Sequence, residues 1–160
     1  MLIKQTQYNL WANQIICDLV LKAGETKSDM HQVASFPSIR KTLIHIWDGQ
    51  IIWFYRLNGT SLHSFPGEKF NGTLQDAVYG LHESSQLFVT YAKKNEANYG
   101  TSISYQTMDK QTYYSRIDDI IFHCMNHSTY HRGQIINLLR GAGFTEIAST
   151  DYMRFCRSNL

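Results

Sequence analysis

The sequence predicts an all-α protein: a four-helix bundle with long connections and a small β-hairpin before the last long helix. Three observations carry this. Four stretches place apolar residues at steps of three and four, the period of a helix with one buried face. Only two prolines occur in 160 residues, which favours helices over a loop-rich fold. One short stretch, 99–116, changes period, with Ile103, Tyr105 and Thr107 alternating with polar residues. The length suits a single domain, 1–160, able to bury roughly 70% of its unfolded surface without help from disulfides or metal.

The first helix runs over 2–22, where Leu2, Tyr8, Trp11, Ile15, Ile16, Leu19 and Val20 recur at helical spacing and Gly24 is a stop signal. Residues 25–37 are polar and end in a proline, which reads as a loop. Ser38 is an N-cap for the second helix, and Asn58-Gly59 ends it. That helix is apolar around most of its circumference. Ile39, Leu43, Ile46, Trp47, Trp53, Phe54 and Leu57 form a broad face that Ile44, Ile51 and Tyr55 widen. Such a helix is either central or covered by another subunit. His45 lies away from the middle of this face, near Gly49 and Ile52, and periodicity leaves its direction open. Gly49, one turn on, would let a neighbouring helix or ligand approach closely.

Residues 58–72, with Gly59, Pro66, Gly67 and Gly72, form a connection long for a bundle, with His63 solvated in it. The third helix starts at Thr73, with Asp76 as the acidic member of a capping box, and ends near Asn95. Its inward residues are Leu74, Ala77, Val78, Leu81, Ser85, Phe88 and Val89; His82 beside them is a packing or surface residue. The stretch 99–116 is a small hairpin or an extended crossover, with Met108-Asp109-Lys110 as its turn.

The fourth helix, 117–142, organises the chain. It carries His123, His127 and His131, each four residues after the last. Ile117, Ile120, Ile121, Cys124, Ser128, Ile135, Leu138, Leu139 and Ala142 make its inward stripe. His127 and His131 fall within that stripe, and His123 sits on its edge, in line with His127 and Tyr130. Asp118, Asp119, Asn126, Arg132 and Asn137 lie mostly elsewhere. Gly141 and Gly143 stop the helix, and a polar tail with Tyr152 and Phe155 ends the chain.

Side chains four apart on a helix lie only about 5–6 Å apart at Cβ, so two imidazoles can close on one ion. A third from another helix would complete a facial set with coordination positions left open, as a catalytic metal needs. The competing reading is that these histidines bind nothing and are satisfied core or surface residues.

Composition narrows the remaining classes. A formal charge of +2, with Arg40-Lys41 and Lys93-Lys94 the only adjacent basic pairs, offers no patch for a nucleic acid. Charged residues make up 18%, below the usual share of about 25%. Aromatics make up 13%, which supports a well-filled core and an apolar surface for self-association. Cys17, Cys124 and Cys156 are odd in number and far apart, which fits reduced thiols in a cytoplasm. No signal-peptide core and no run of about 18 apolar residues occurs, so no membrane span is expected. Neither a Ser-His-Asp arrangement nor a glycine-rich phosphate loop competes with the histidines.

Four segments then fall into a pattern: YNLWANQ near the start, SIRKTLIHIWDGQIIW in the second helix, HCMNHSTYHRGQIINLLRGAGF in the fourth, and the closing TDYMRFCR. Together they resemble the bacterial DinB family of damage-inducible proteins, over essentially the whole chain and in order. NHSTYHRGQI is the most specific part. The resemblance implies a four-helix bundle with a divalent metal held by three histidines. Carried over by position, these are His45, His127 and His131, with His123 near the site rather than on the metal. It also implies a homodimer and a place in a superfamily that includes thiol-dependent transferases and isomerases.

The expected function is therefore a metal-dependent hydrolase or thiol transferase acting on a small molecule. The alternative is a metal-binding stress-response module without turnover. Three neutral imidazoles leave an ion its full charge, enough to bring water to a pKa of about 7 or to hold a thiolate at neutral pH. Borderline nitrogen ligands suit zinc or nickel, and a low-molecular-weight thiol is the cofactor that thiol transfer would use. His123, Tyr130, Asp48 and Gln134 are the candidates to orient or assist this centre.

Overall fold

The computed structural model describes residues 1–158. Four long helices, α1 (Leu2–Asp29), α2 (Ile39–Leu57), α3 (Leu74–Lys94) and α4 (Ile117–Gly141), form the bundle. Strands β1 (Ser102–Gln106) and β2 (Thr112–Arg116) pair antiparallel just before α4, and a short helix α5 (Tyr152–Ser158) follows it. The all-α class, the bundle and the hairpin at 99–116 are as the sequence predicts. Among the described residues no helix is long and apolar enough to cross a membrane.

Local chemistry sets most boundaries where expected. Ser38 Oγ accepts from the Lys41 N–H at 3.2 Å, capping α2. Thr73 and Asp76 cap each other at the start of α3, each side chain accepting from the other's backbone N–H. In the hairpin, Ser102 pairs with Arg116 and Gln106 with Thr112, and Lys110 at the turn takes φ 62°.

Two boundaries differ from the sequence reading. Gly24 breaks α1 at φ 82°, as a stop signal should, but residues 25–29 resume the helix instead of forming a loop. Contacts from other elements hold that extra turn. Lys27 Nζ donates to the Ala142 carbonyl at 2.9 Å, and the Glu25 carboxylate accepts from the Leu74 N–H at 3.1 Å. Asp29 takes two hydrogen bonds from Arg40. The polar tail likewise contains a helix, α5: the Asp151 carboxylate accepts from the Arg154 N–H, and Phe155 packs on Tyr8 and Trp11 of α1.

Helices α1 and α2 each pack against both α3 and α4 and stand diagonally across the bundle. On α2, Ile44 at the margin of the broad face and Ile52 beyond it are buried too. The apolar core divides in two. One cluster gathers Ile16, Leu43, Leu81 and Ile135; the other gathers Leu57, Phe88, Ile121 and Cys124.

At the level between these clusters, the four long helices contribute buried polar groups. Gln50 Oε1 accepts from Ser84 and Ser85, and Gln50 Nε2 donates to Ser128. Asn13 Nδ2 donates to Ser85, and Arg132 Nη1 donates to Asn9 and Asn13. Arg132 is thus turned inward, 2% exposed, contrary to its place off the inward stripe. Asn9 and Asn13, four apart on the buried side of α1, supply the oxygens that make its burial tolerable.

Candidate metal centre

His45 of α2 meets His127 and His131 of α4 at the level of this polar layer. One nitrogen from each ring lies within 4.8 Å of the other two. His45 Nε2 and His127 Nε2 are 3.0 Å apart, and the ring centroids are separated by 4.8 Å (His45–His127), 4.5 Å (His45–His131) and 4.4 Å (His127–His131). The structure thereby resolves the direction of His45 that periodicity left open.

Each ring is positioned by a different contact. His127 lies against α2 where Gly49 leaves room: a Cβ there would sit 2.9 Å from the ring's Cε1 and 3.1 Å from its Nδ1. His131 Nδ1 donates to Gln134 Oε1 at 2.7 Å, which fixes the tautomer and leaves Nε2 with its lone pair. Gln134 is held in turn by Ser35 Oγ. His45 stacks on Phe36 at 4.1 Å, and Phe36 also presents itself to His131 at 5.7 Å.

The other candidates divide. Tyr130 packs its ring on His131 at 4.9 Å but is 64% exposed. His123 stands 6.0 Å from His127, tilted, and lies edge-on to Trp53 at 5.3 Å; it adjoins the cluster without entering it. Asp48 accepts from the Gly67 N–H at 2.6 Å and so ties the 58–72 connection to α2. With His45, Phe36 and Lys41 it lines a cleft of about 350 Å³ that reaches His45. Sequence reasoning missed Phe36 and Ser35, which lie in the stretch read as a plain loop. The available signal was an aromatic residue just ahead of an N-cap.

Burial pushes His45 down to about 4, aided by the nearby His131 charge. Burial, with His131, His45 and His123 around it, pushes His127 down to about 3. His131 is also lowered by burial, with the Gln134 hydrogen bond opposing. All three rings are therefore neutral at pH 7 and offer lone pairs. Three neutral nitrogens and no carboxylate fit a borderline divalent ion such as zinc or nickel better than magnesium or calcium.

The depressed values make stability pH-dependent in the metal-free protein. Above pH 6.5 both folded and unfolded imidazoles are neutral. Below it the unfolded chain takes up protons that folded His45 and His127 refuse until about 4 and about 3. Urea midpoints measured in chelator are expected to fall as pH drops from 6.5 towards 4, and His45→Ala is expected to flatten the slope.

Gly49→Ala separates fold from site. The atoms in the way are the far end of the His127 side chain, so the ring moves rather than the backbone. Helix propensity favours alanine by up to about 1 kcal/mol. The thermal midpoint is expected to hold or rise, while metal affinity falls about tenfold to a hundredfold in a calorimetric titration.

The model of the DinB family matches residues 2–159. The chain is 25% identical over 155 residues to Protein DinB of Bacillus subtilis (strain 168), covering 93% of this chain and 90% of that protein.

Proposed function

The chain belongs to the DinB family, and on that premise we propose that it holds one zinc or nickel ion on His45, His127 and His131 and uses it in hydrolysis or thiol transfer on a small molecule. The observation that carries the reading is the convergence of three neutral imidazoles from two helices, within 4.8 Å of one another. When bound, the ion supplies Lewis-acid chemistry, acidifying a water or a thiol at neutral pH.

The chain's own residues supply the frame. Gln134 holds His131 in one tautomer, Gly49 seats His127, and Phe36 covers the cluster and limits access of water. The cleft beside His45 is the approach for a substrate, with Lys41 and Glu68 at its wall. A thiol for transfer has to come from solution. Cys17 and Cys124 are buried, and desolvation pushes the Cys17 thiol up to about 12 and the Cys124 thiol well above its usual range, while the half-buried Cys156 of α5 lines a separate cleft with Trp11 and His82 rather than the one at His45. A low-molecular-weight thiol in a cytoplasmic setting belongs to the same proposal. So does a homodimer, through the apolar edge of α2 and α3 at Phe54, Leu57, Leu87 and Tyr91.

A second reading, a stress-response module that binds metal without turnover, is favoured by one observation. Among the described residues no carboxylate groups with the three rings to serve as a base: Asp48 is engaged by Gly67, Glu68 stands at the cleft wall, and Gln134 cannot take a proton. Assays of metal-loaded protein with small thiols and electrophilic substrates separate the two. Turnover that disappears with chelator supports the enzyme, and stoichiometric metal with no turnover supports the module.

A further inference from the structure

Three turns along α2 from His45, on the same side of the helix, lies Arg56. It is 6% exposed, and its guanidinium sits between the rings of Trp53 at 4.5 Å and Tyr105 at 5.0 Å. Its Nε is buried with no hydrogen-bond partner, and among the described residues no carboxylate pairs with it. Arg132 makes the contrast: buried still more deeply, it donates to Asn9, Asn13 and Thr129. A buried N–H donor without an acceptor is costly, and aromatic faces return only part of that cost. An oxyanion would supply what is missing, because the planar fork of arginine matches a carboxylate with two parallel hydrogen bonds.

The position says which molecule would bring it. Trp53, which carries the guanidinium on its face, touches His123 at 5.3 Å, and His123 stands 6.0 Å from His127. Arg56 is therefore the far end of the row of side chains between α2 and α4 that begins at the three histidines. We propose that Arg56 is an anion subsite that binds the carboxylate of the small molecule on which the histidine centre acts. The inference rests on the metal reading for the other end of that molecule. The subsite itself needs only Arg56, with Trp53 and Tyr105 holding its plane and offering apolar surface beside it.

The test uses benzoate as the probe, titrated into the full chain with and without chelator. In ¹H–¹⁵N spectra the Arg56 Nε–H signal, identified by its absence in Arg56→Lys, is expected to shift saturably in the wild type. Arg56→Gln is expected to bind benzoate about tenfold more weakly or worse, with Arg56→Lys intermediate. Both effects should persist in metal-free protein and in His45→Ala. An unmoved Nε–H signal, or wild-type affinity in Arg56→Gln, overturns the subsite, and the signal decides even if that variant does not fold. Benzoate that binds only metal-loaded protein sits on the ion and also overturns it, while leaving the metal reading intact. Inorganic phosphate bound more tightly than benzoate overturns the carboxylate assignment. Wild-type protein that shows the Nε–H shift yet binds no zinc or nickel removes the metal reading alone.

Discussion

His127→Ala is expected to purify folded, without stoichiometric zinc or nickel, and to bind added ion at least about a hundredfold more weakly. The His127 ring lies 4.4 Å from that of His131 by centroid, with its Nε2 3.0 Å from that of His45. Structural zinc sites with four ligands are worth about 10–16 kcal/mol, so one ligand accounts for roughly 3 kcal/mol, or about two powers of ten. The fold should survive, because the ring is only half-buried and alanine favours the helix. Removing it also removes a group that burial keeps from protonating, so the metal-free variant should be less acid-sensitive than the wild type. Circular dichroism together with metal analysis checks both halves of this prediction. Full metal content at unchanged affinity would reject the ligand set.

Arg132→Ala is expected to destabilise the protein by about 3 kcal/mol and lower its melting temperature by about 6–12 °C. Two effects oppose each other. Deleting a buried cation that has no carboxylate partner relieves a desolvation cost, which lowers the Arg132 pKa. Against this, the Oδ1 atoms of Asn9 and Asn13 lose their donor in a buried layer, Thr129 Oγ1 loses another, and the space beside the Tyr8 ring empties. Unsatisfied buried acceptors cost about 1–3 kcal/mol each, and the cavity adds to them, so the loss wins. Denaturant unfolding measures the difference; a change below about 1 kcal/mol would mean that the polar layer is not a stability element. Because Arg132 follows His131 directly on α4, the same layer anchors the backbone that carries His127 and His131.

What could be read from the sequence follows from where the determining partners lie. The long helices and the hairpin were legible because period, caps and turns are local properties; the capping box at Thr73 and Asp76 is one example. The inward direction of His127 and His131 was legible for the same reason. His45 was not legible from period alone, because α2 is apolar nearly all round and every direction looked buried. Its direction depends on α4 lying beside it and on Gly49 giving way to a ring; the family resemblance supplied what the period did not. Residues 25–29 and α5 were illegible because their stabilising contacts come from far along the chain, at Ala142, Leu74 and Tyr8. Arg132 misled because a lone arginine is assigned to solvent by default. The clue lay in Asn9 and Asn13, two amides one turn apart on a buried face.

Arg56 shows the reverse case. Its charge gave no sequence signal, since one arginine near the end of an apolar helix is commonplace, yet its surroundings leave its Nε buried without an acceptor. The histidines and this guanidinium stand three turns apart along α2, with Trp53 and His123 between them.

The most direct test of the central claim is a crystal structure of the zinc- or nickel-loaded protein with data collected at the absorption edge of the ion. The account predicts one anomalous peak, bonded to nitrogens of His45, His127 and His131, with His131 Nδ1 still directed at Gln134. A peak at any other group of residues, or full loading with one of these three rings turned away, would contradict it.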